Sequence, residues 1–279
     1  MKISVLVDSN TLALRYFKAE WGISLLIEEE KHKILFDVGY SGIFIENAYK
    51  MNKHFWDLDY LIFSHAHLDH TWGLSELIKL FTQATMENIN YKIPTLIAHP
   101  HIFLHRELGS IKEVGLMVSE EQVKRHFNVK LSIDPIWITE RLVFLGEIKR
   151  KNDFEAKIPV GKIDGKNGKE DDYVLDDSAL AYRSTEGLVI ITGCSHSGIC
   201  NIIEQAKEVC KEDKIIDVVG GFDLLNPNRH QLEGTLDYFK KLQLEELHTC
   251  HCTDLHSRIA LSKVSNLKEV GVGLTLNYN

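Results

Sequence analysis

The run Ser64-His65-Ala66-His67-Leu68-Asp69-His70 constrains this chain more than any other feature. Imidazole nitrogens and a carboxylate packed this closely are the ligands that borderline cations such as Zn or Fe prefer. The run follows residues 58–63, an apolar segment that reads as a buried strand. At a strand's end, residues two apart point the same way, so His65 and His67 can grip one cation together. Once the chain turns, Asp69 and His70 can face a second cation beside the first. The fold therefore has to bring a strand end to a place where other elements complete two adjoining half-sites.

The remaining pattern supplies such elements. Residues 3–7, 22–29 and 32–37 are predicted strands, with 28–32 as a hairpin connection. Helical spacing over 42–51 and 71–80 predicts helices, 95–98 reads as a strand and 120–127 as a short polar helix. Later, 179–184 and 188–192 have a hairpin pattern, 198–210 that of a helix and 215–219 that of a strand, after which helix and strand alternate. Residues 149–177 combine many charges with Gly161, Gly165 and Gly168, which predicts a long surface loop, either a lid or a plain insertion. Strand groups in each half, each accompanied by helices, predict an α/β class in which two sheets pack together with helices outside, as one domain over 1–279.

Composition narrows the function. With 279 residues and 44% hydrophobic content, the chain can bury an extensive core. A formal net charge of -8, with 32 Lys and Arg against 40 Asp and Glu, disfavours a phosphate-tracking nucleic-acid surface. No run approaches the roughly 18 consecutive apolar residues of a membrane span. The apolar stretch near the start is broken by Asp8 and is too brief for a secretion signal. The five cysteines are odd in number and contain no C-x-x-C pair, which suits a reducing compartment. The expected setting is cytoplasmic, with a small-molecule substrate and neither nucleic acid nor membrane as partner.

One loop cannot close two sites, and three later residues, each after a β-like run, are candidates to complete them. His196 stands in Thr192-Gly193-Cys194-Ser195-His196, just before a helix. Asp223 follows Gly220-Gly221-Phe222 and can bridge two cations or, in the ordinary reading, cap a helix. His251 lies in His248-Thr249-Cys250-His251-Cys252, where His248 and both cysteines compete with it. In an extended strand the neighbours of His251 face away from it, which favours His251 as ligand and burial for Cys250 and Cys252. A structural zinc site confined to that segment would need two more ligands at finger-like spacing.

Taken together, His65, His67, Asp69, His70, His196, Asp223 and His251 resemble the metallo-β-lactamase superfamily, whose hallmark is an H-x-H-x-D-H motif followed by separated His, acidic and His ligands. The phrases Leu35-Phe36-Asp37-Val38-Gly39, Ala98-His99-Pro100, Asp177-Ser178-Ala179-Leu180, Thr192-Gly193-Cys194-Ser195-His196 and His251-Cys252-Thr253 are similar to its dihydropterin ribofuranosyl-aminobenzene phosphate synthase subfamily. The resemblance spans essentially the whole chain. It implies a four-layer αβ/βα sandwich with two divalent metal ions at one edge. His65, His67 and His196 would hold the first ion, and Asp69, His70 and His251 the second. Asp223 would bridge them and Asp37 would orient the motif loop. Two positions depart from the subfamily, which usually has His where Asp223 and Trp21 stand.

Imidazole and carboxylate accept Zn, Mn, Fe or Ni, with zinc as the default. Two cations roughly 3.5 to 4 Å apart can share a water and lower its pKa. The expected reaction is hydrolysis of a phosphoester or phosphate-bearing small molecule by the resulting metal-bound hydroxide, with Asp69 accepting the proton. A synthase condensing with a phosphoribosyl donor is the alternative, and a non-catalytic metal-binding sensor module a further one. Arg106, Lys124, Arg125 and His126 are candidate phosphate contacts, although isolated charges are mostly solvated.

Overall fold

The computed structural model describes residues 1–165 and 168–279. In chain order the first strands are β1 (Lys2–Val7), β2 (Ser24–Glu29), β3 (His32–Phe36), β4 (Tyr60–Ile62), β5 (Thr95–Ala98), β6 (Arg106–Glu107), β7 (Asn128–Leu131) and β8 (Ile136–Trp137). They are followed by β9 (Leu142–Phe144), β10 (Gly161–Gly165), β11 (Gly168–Asp172), β12 (Ala179–Arg183), β13 (Leu188–Thr192), β14 (Ile215–Gly220), β15 (His248–Thr249) and β16 (Thr275–Asn277). The helices are α1 (Ile43–Lys50), α2 (Leu68–Thr71), α3 (Leu74–Met86), α4 (Glu120–His126), α5 (Ile199–Cys210), α6 (Arg229–Leu242) and α7 (Leu255–Leu261).

Side-chain alternation sets the layers. Leu25 and Ile27 of β2 point into one apolar cluster while Leu26 points into another, and β3 repeats the pattern with Ile34 and Phe36 against Leu35. A strand buried on both faces needs a cover on each. On the inner side the seven-stranded sheet β16-β1-β2-β3-β4-β5-β7 packs against the six-stranded sheet β15-β14-β13-β12-β9-β8 through Ile3, Val5, Phe144, Leu180, Val189 and Ile191. On its outer side the first sheet meets α1 and α3 through Phe44, Leu77 and Phe81. The second meets α5 and α6 through Ile202, Ile203 and Phe239. This is the four-layer α/β sandwich.

Two segments depart from the pattern read along the chain. The helix expected over 71–80 is two helices, because α2 begins inside the histidine run and the chain breaks at Gly73 before α3. A side chain at Gly73 would collide with the Val38 carbonyl, so the break is where the turn packs against the end of β3. The charged 149–177 segment, read as a surface loop, carries the hairpin of β10 and β11, and β10 also pairs with β6; Lys166 and Asn167 lie outside the described residues. Nearly all of β11 is exposed. A solvent-facing strand shows no apolar alternation, and its polar sequence Gly-Lys-Glu-Asp-Asp therefore looks like a loop. No described helix is long and apolar enough to cross a membrane.

Candidate metal centre

β3, β4, β5 and β7 run parallel in the first sheet, and β13, β14 and β15 run parallel in the second. Residues just past these strands' C-terminal ends converge at one edge of the sandwich, where α/β sheets form their crevices. Past β4 comes the histidine run, past β13 Cys194 and His196, past β14 Asp223 and past β15 His251. Asp37, Ser195, Asp223 and His251 all hold left-handed backbone, with φ of 57°, 65°, 51° and 50°. Such strain in non-glycine residues persists only where surrounding structure fixes it, and here it gathers at the strand ends. Gly193 lets the two sheets' loops touch, since a side chain there would run into Ser64 of the opposite sheet.

The expected ligands fall into two adjoining groups. In the first, His65 Nε2 lies 3.0 Å from His67 Nδ1, which is 3.1 Å from His196 Nε2. In the second, Asp69 Oδ2 lies 3.1 Å from His251 Nε2 and 3.6 Å from His70 Nε2. Asp223 joins neither group. Its Oδ1 is 3.4 Å from His196 Nδ1, the ring nitrogen pointing away from the other imidazoles, so the carboxylate sits behind His196 instead of between the groups. Asp223 was expected to bridge; its left-handed backbone and the bond from its N–H to Cys252 Sγ turn it outward.

Cys194 stands where a bridging group was expected. Its Sγ is 3.3 Å from His70 Nε2 and 3.2 Å from His251 Nε2, and it also falls within ligand range of His65 and His196. The sequence places this cysteine two residues before His196, but Ser195 between them holds left-handed backbone, so strand alternation does not give its direction.

A shell of carboxylates fixes these side chains. Asp37, fully buried, accepts Ser64 N–H at 2.8 Å and Ser64 Oγ–H at 2.7 Å, and faces His70 Nδ1 at 2.7 Å. Asp176 accepts Ala66 N–H at 2.9 Å and Asp8 accepts His251 N–H at 3.0 Å. Asp177 takes the Ser197 N–H at 2.9 Å, beside His196. Arg106, expected either to contact phosphate or to be solvated, does neither. It is fully buried and paired with Asp172 at 2.9 Å and Asp176 at 2.5 Å, so it anchors the carboxylate that holds the histidine loop. Lys124 and Arg125 pair with Glu120 and Glu121 along exposed α4. Sequence reading missed Asp8, Asp176 and Asp177 as supports because isolated acids in a chain with 40 of them carry no local pattern.

Burial, reinforced by neighbouring imidazoles, pushes His65 and His67 well below the ordinary histidine range. Burial opposes ionisation of Asp69, yet His70 and His251 outweigh it and hold the carboxyl below its usual range. Burial likewise opposes a charge on His70, but Asp69 and Asp37 raise it. His196 is pushed up to about 10, burial being outweighed by Asp223. Burial drives the Cys194 thiol well above its ordinary value.

Beside the two groups lies a cavity of about 280 Å³. Trp21, Leu108, Val114, Val160 and Leu225 give it an apolar wall, and His67, Asp69, Cys194 and His196 form its polar end. Trp21 is 48% exposed, and its ring lies 4.8 Å from that of His251. Among the described residues that line the cavity there is no Lys or Arg.

The model of the metallo-beta-lactamase superfamily matches residues 23–207. The chain is 33% identical over 250 residues, 85% of its length and 82% of the relative's, to 7,8-dihydropterin-6-methyl-4-(beta-D-ribofuranosyl)-aminobenzene-5'-phosphate synthase of Methanocaldococcus jannaschii. Protein MJ0448 of the same organism is 31% identical over 275 residues, covering 97% of this chain and 98% of that one. The crystal structure of Tm1679, a metal-dependent hydrolase of the beta-lactamase superfamily, matches with a TM-score of 0.83 at 27% identity, covering 99% of this chain and 98% of that one.

Proposed function

The chain belongs to the metallo-beta-lactamase superfamily, and from that premise we propose that it is a two-metal hydrolase of a small molecule carrying a phosphoester beside a flat apolar group. The observation that carries this reading is the pair of adjoining, buried donor groups at the end of an apolar cavity. The donors fit divalent cations. Three imidazole nitrogens crowd together at 3.0 and 3.1 Å, and the low basicity of His65 and His67 leaves their lone pairs free for a cation instead of a proton. His65, His67 and His196 would hold one ion, and Asp69, His70 and His251 the other, with zinc the default for this donor set. Such ions, when bound, lower the pKa of water and offset charge on phosphoester oxygens.

The protein's own groups divide the remaining work. Asp37 and Asp8 hold His70 and His251 in place. Asp69, ionised and lining the cavity, takes the proton from the attacking water. Trp21, Leu108 and Val160 take the flat apolar part of the substrate and exclude water around it. Among the described residues that line the cavity there is no Lys or Arg to meet a phosphate, and Lys169 and Arg106 nearby are paired with Glu107 at 2.7 Å and with Asp172. Phosphate recognition therefore falls to the metal ions, and chelation should remove binding and turnover together.

A second reading is favoured by the 33% identity to the M. jannaschii synthase, whose named product carries a ribofuranosyl phosphate on an aminobenzene ring. The same site would then serve a condensation with a phosphoribosyl donor, the aromatic ring lying against Trp21. The two readings separate in one experiment: metal-loaded protein given a generic aryl phosphodiester, and separately phosphoribosyl pyrophosphate. Chelator-sensitive cleavage of the diester supports the hydrolase. No cleavage, with saturable binding of phosphoribosyl pyrophosphate, replaces it with the synthase.

A further inference from the structure

We propose that Cys194 is itself a metal ligand, its thiolate lying between the two ion positions and shared by both. This rests on the two-ion reading above and adds a sulfur to it. The geometry is that of a coordination shell. With metal–nitrogen and metal–oxygen bonds of about 2.0–2.2 Å and a metal–sulfur bond of about 2.3 Å, the corners of a tetrahedron lie roughly 3.3–3.6 Å apart. The contacts among Asp69 Oδ2, His70 Nε2, His251 Nε2 and Cys194 Sγ are 3.1, 3.6, 3.3 and 3.2 Å. Those four atoms come from three separate loops and all lie within 4.8 Å of one another. The same sulfur also clusters with His65 and His196, two members of the other group.

The backbone aims Cys194 inward from both sides. Gly221 N–H bonds the Gly193 carbonyl at 2.8 Å, and the Ser195 hydroxyl bonds the Gly221 carbonyl at 2.6 Å. Cys194 therefore sits in a short arch pinned to the next strand's loop, with Ser195 in left-handed backbone at φ 65°. Asp223 does not compete for the shared position, since it lies behind His196. The other thiol nearby, Cys252, is turned to the Cys194 carbonyl at 3.3 Å and accepts from Asp223 N–H. On ligation Cys194 loses its proton to solvent, and the sulfur lone pairs replace the contacts it makes with the two imidazoles.

Cobalt(II) substitution tests this by spectroscopy, without turnover. Thiolate bound to Co(II) gives a near-ultraviolet charge-transfer band in addition to the visible ligand-field bands. The wild-type chain loaded with cobalt should show it. Cys194→Ser should lose the band while keeping its ligand-field absorption and releasing cobalt at least tenfold more readily, and Cys252→Ser should keep the band. Bound cobalt with ligand-field absorption alone in the wild type, or a band that survives Cys194→Ser, overturns the sulfur ligand and leaves the two-ion reading standing. A band that disappears with Cys252→Ser instead assigns the ligand to the wrong cysteine here. Failure of the wild type to take up cobalt overturns both readings.

Discussion

Two buried imidazole–carboxylate pairs in this protein look alike at first contact. His70 Nδ1 is 2.7 Å from Asp37 Oδ2, and His248 Nδ1 is 2.7 Å from Asp217 Oδ2. The difference lies in what surrounds each pair. His70 presents its second nitrogen to Asp69 and Cys194, at the end of a cavity. Asp217 is instead closed off by the Tyr278 hydroxyl, which donates to the same oxygen at 2.6 Å, and the nearby Glu246 is drawn to Lys268 at 3.3 Å. None of Asp217, Glu246 or His248 lines the cavity. A carboxylate behind a histidine fixes the ring wherever it occurs. It marks a metal ligand only when further donors converge on the ring's other nitrogen.

The sharpest way to break this comparison is to truncate one histidine from each pair. His70→Ala should lose metal retention and turnover, as should His67→Ala, while His248→Ala keeps the metal content of the wild type after desalting, read by plasma mass spectrometry. Loss of metal from His248→Ala would place the two pairs in one class. Next in size is Arg106→Met, which leaves Asp172 and Asp176 buried without the guanidinium that pairs with both. Removing one member of a buried ion pair costs about 3–5 kcal/mol, and denaturant unfolding should show a loss of that order. Metal affinity should fall too, because Asp176 holds the Ala66 N–H of the histidine loop. Asp217→Asn should cost less, about 1–3 kcal/mol from hydrogen bonds poorly remade around His248 and Tyr278, with metal content unchanged.

His65, His67, Asp69 and His70 are close in sequence because one turn presents them all, so their spacing records their geometry. Most strands of the two sheets were legible because burial on both faces leaves uninterrupted apolar runs such as Leu188-Val-Ile-Ile-Thr192, whereas the short β7, β8 and β9 were not read. His251 could be preferred to His248 by its position past a strand end, yet nothing local announced that His248 has a carboxylate partner in Asp217, 31 residues away. Cys194 was not weighed as a ligand, and Asp223, expected to bridge, lies behind His196. Which of them points inward depends on left-handed backbone at Ser195 and Asp223, and residues other than glycine give little warning of it. The hairpin at β10 and β11 was hidden by its exposure.

Asp223 gives the smallest and most discriminating effect. With its Oδ1 3.4 Å from His196 Nδ1, the contact is an ion pair beyond hydrogen-bond range, and it helps push His196 up to about 10 against burial. A histidine raised in the folded state contributes stability that is fully present below its unfolded value and is lost as pH rises through the folded one. Metal-free wild type should therefore exceed Asp223→Asn in stability below the ordinary 6.5, with the gap closing as pH approaches about 10. Because the Asp223 side chain is 36% exposed, solvent screening keeps the gap to about 1 kcal/mol or less. Metal binding reverses the sign, since a cation at His196 Nε2 must displace a proton that Asp223 helps retain. Asp223→Asn should thus keep its full metal complement and bind it with a shallower fall in affinity as pH drops, which metal titrations across the pH range would reveal. A bridging Asp223 predicts the opposite, with metal lost at every pH once the carboxylate is gone.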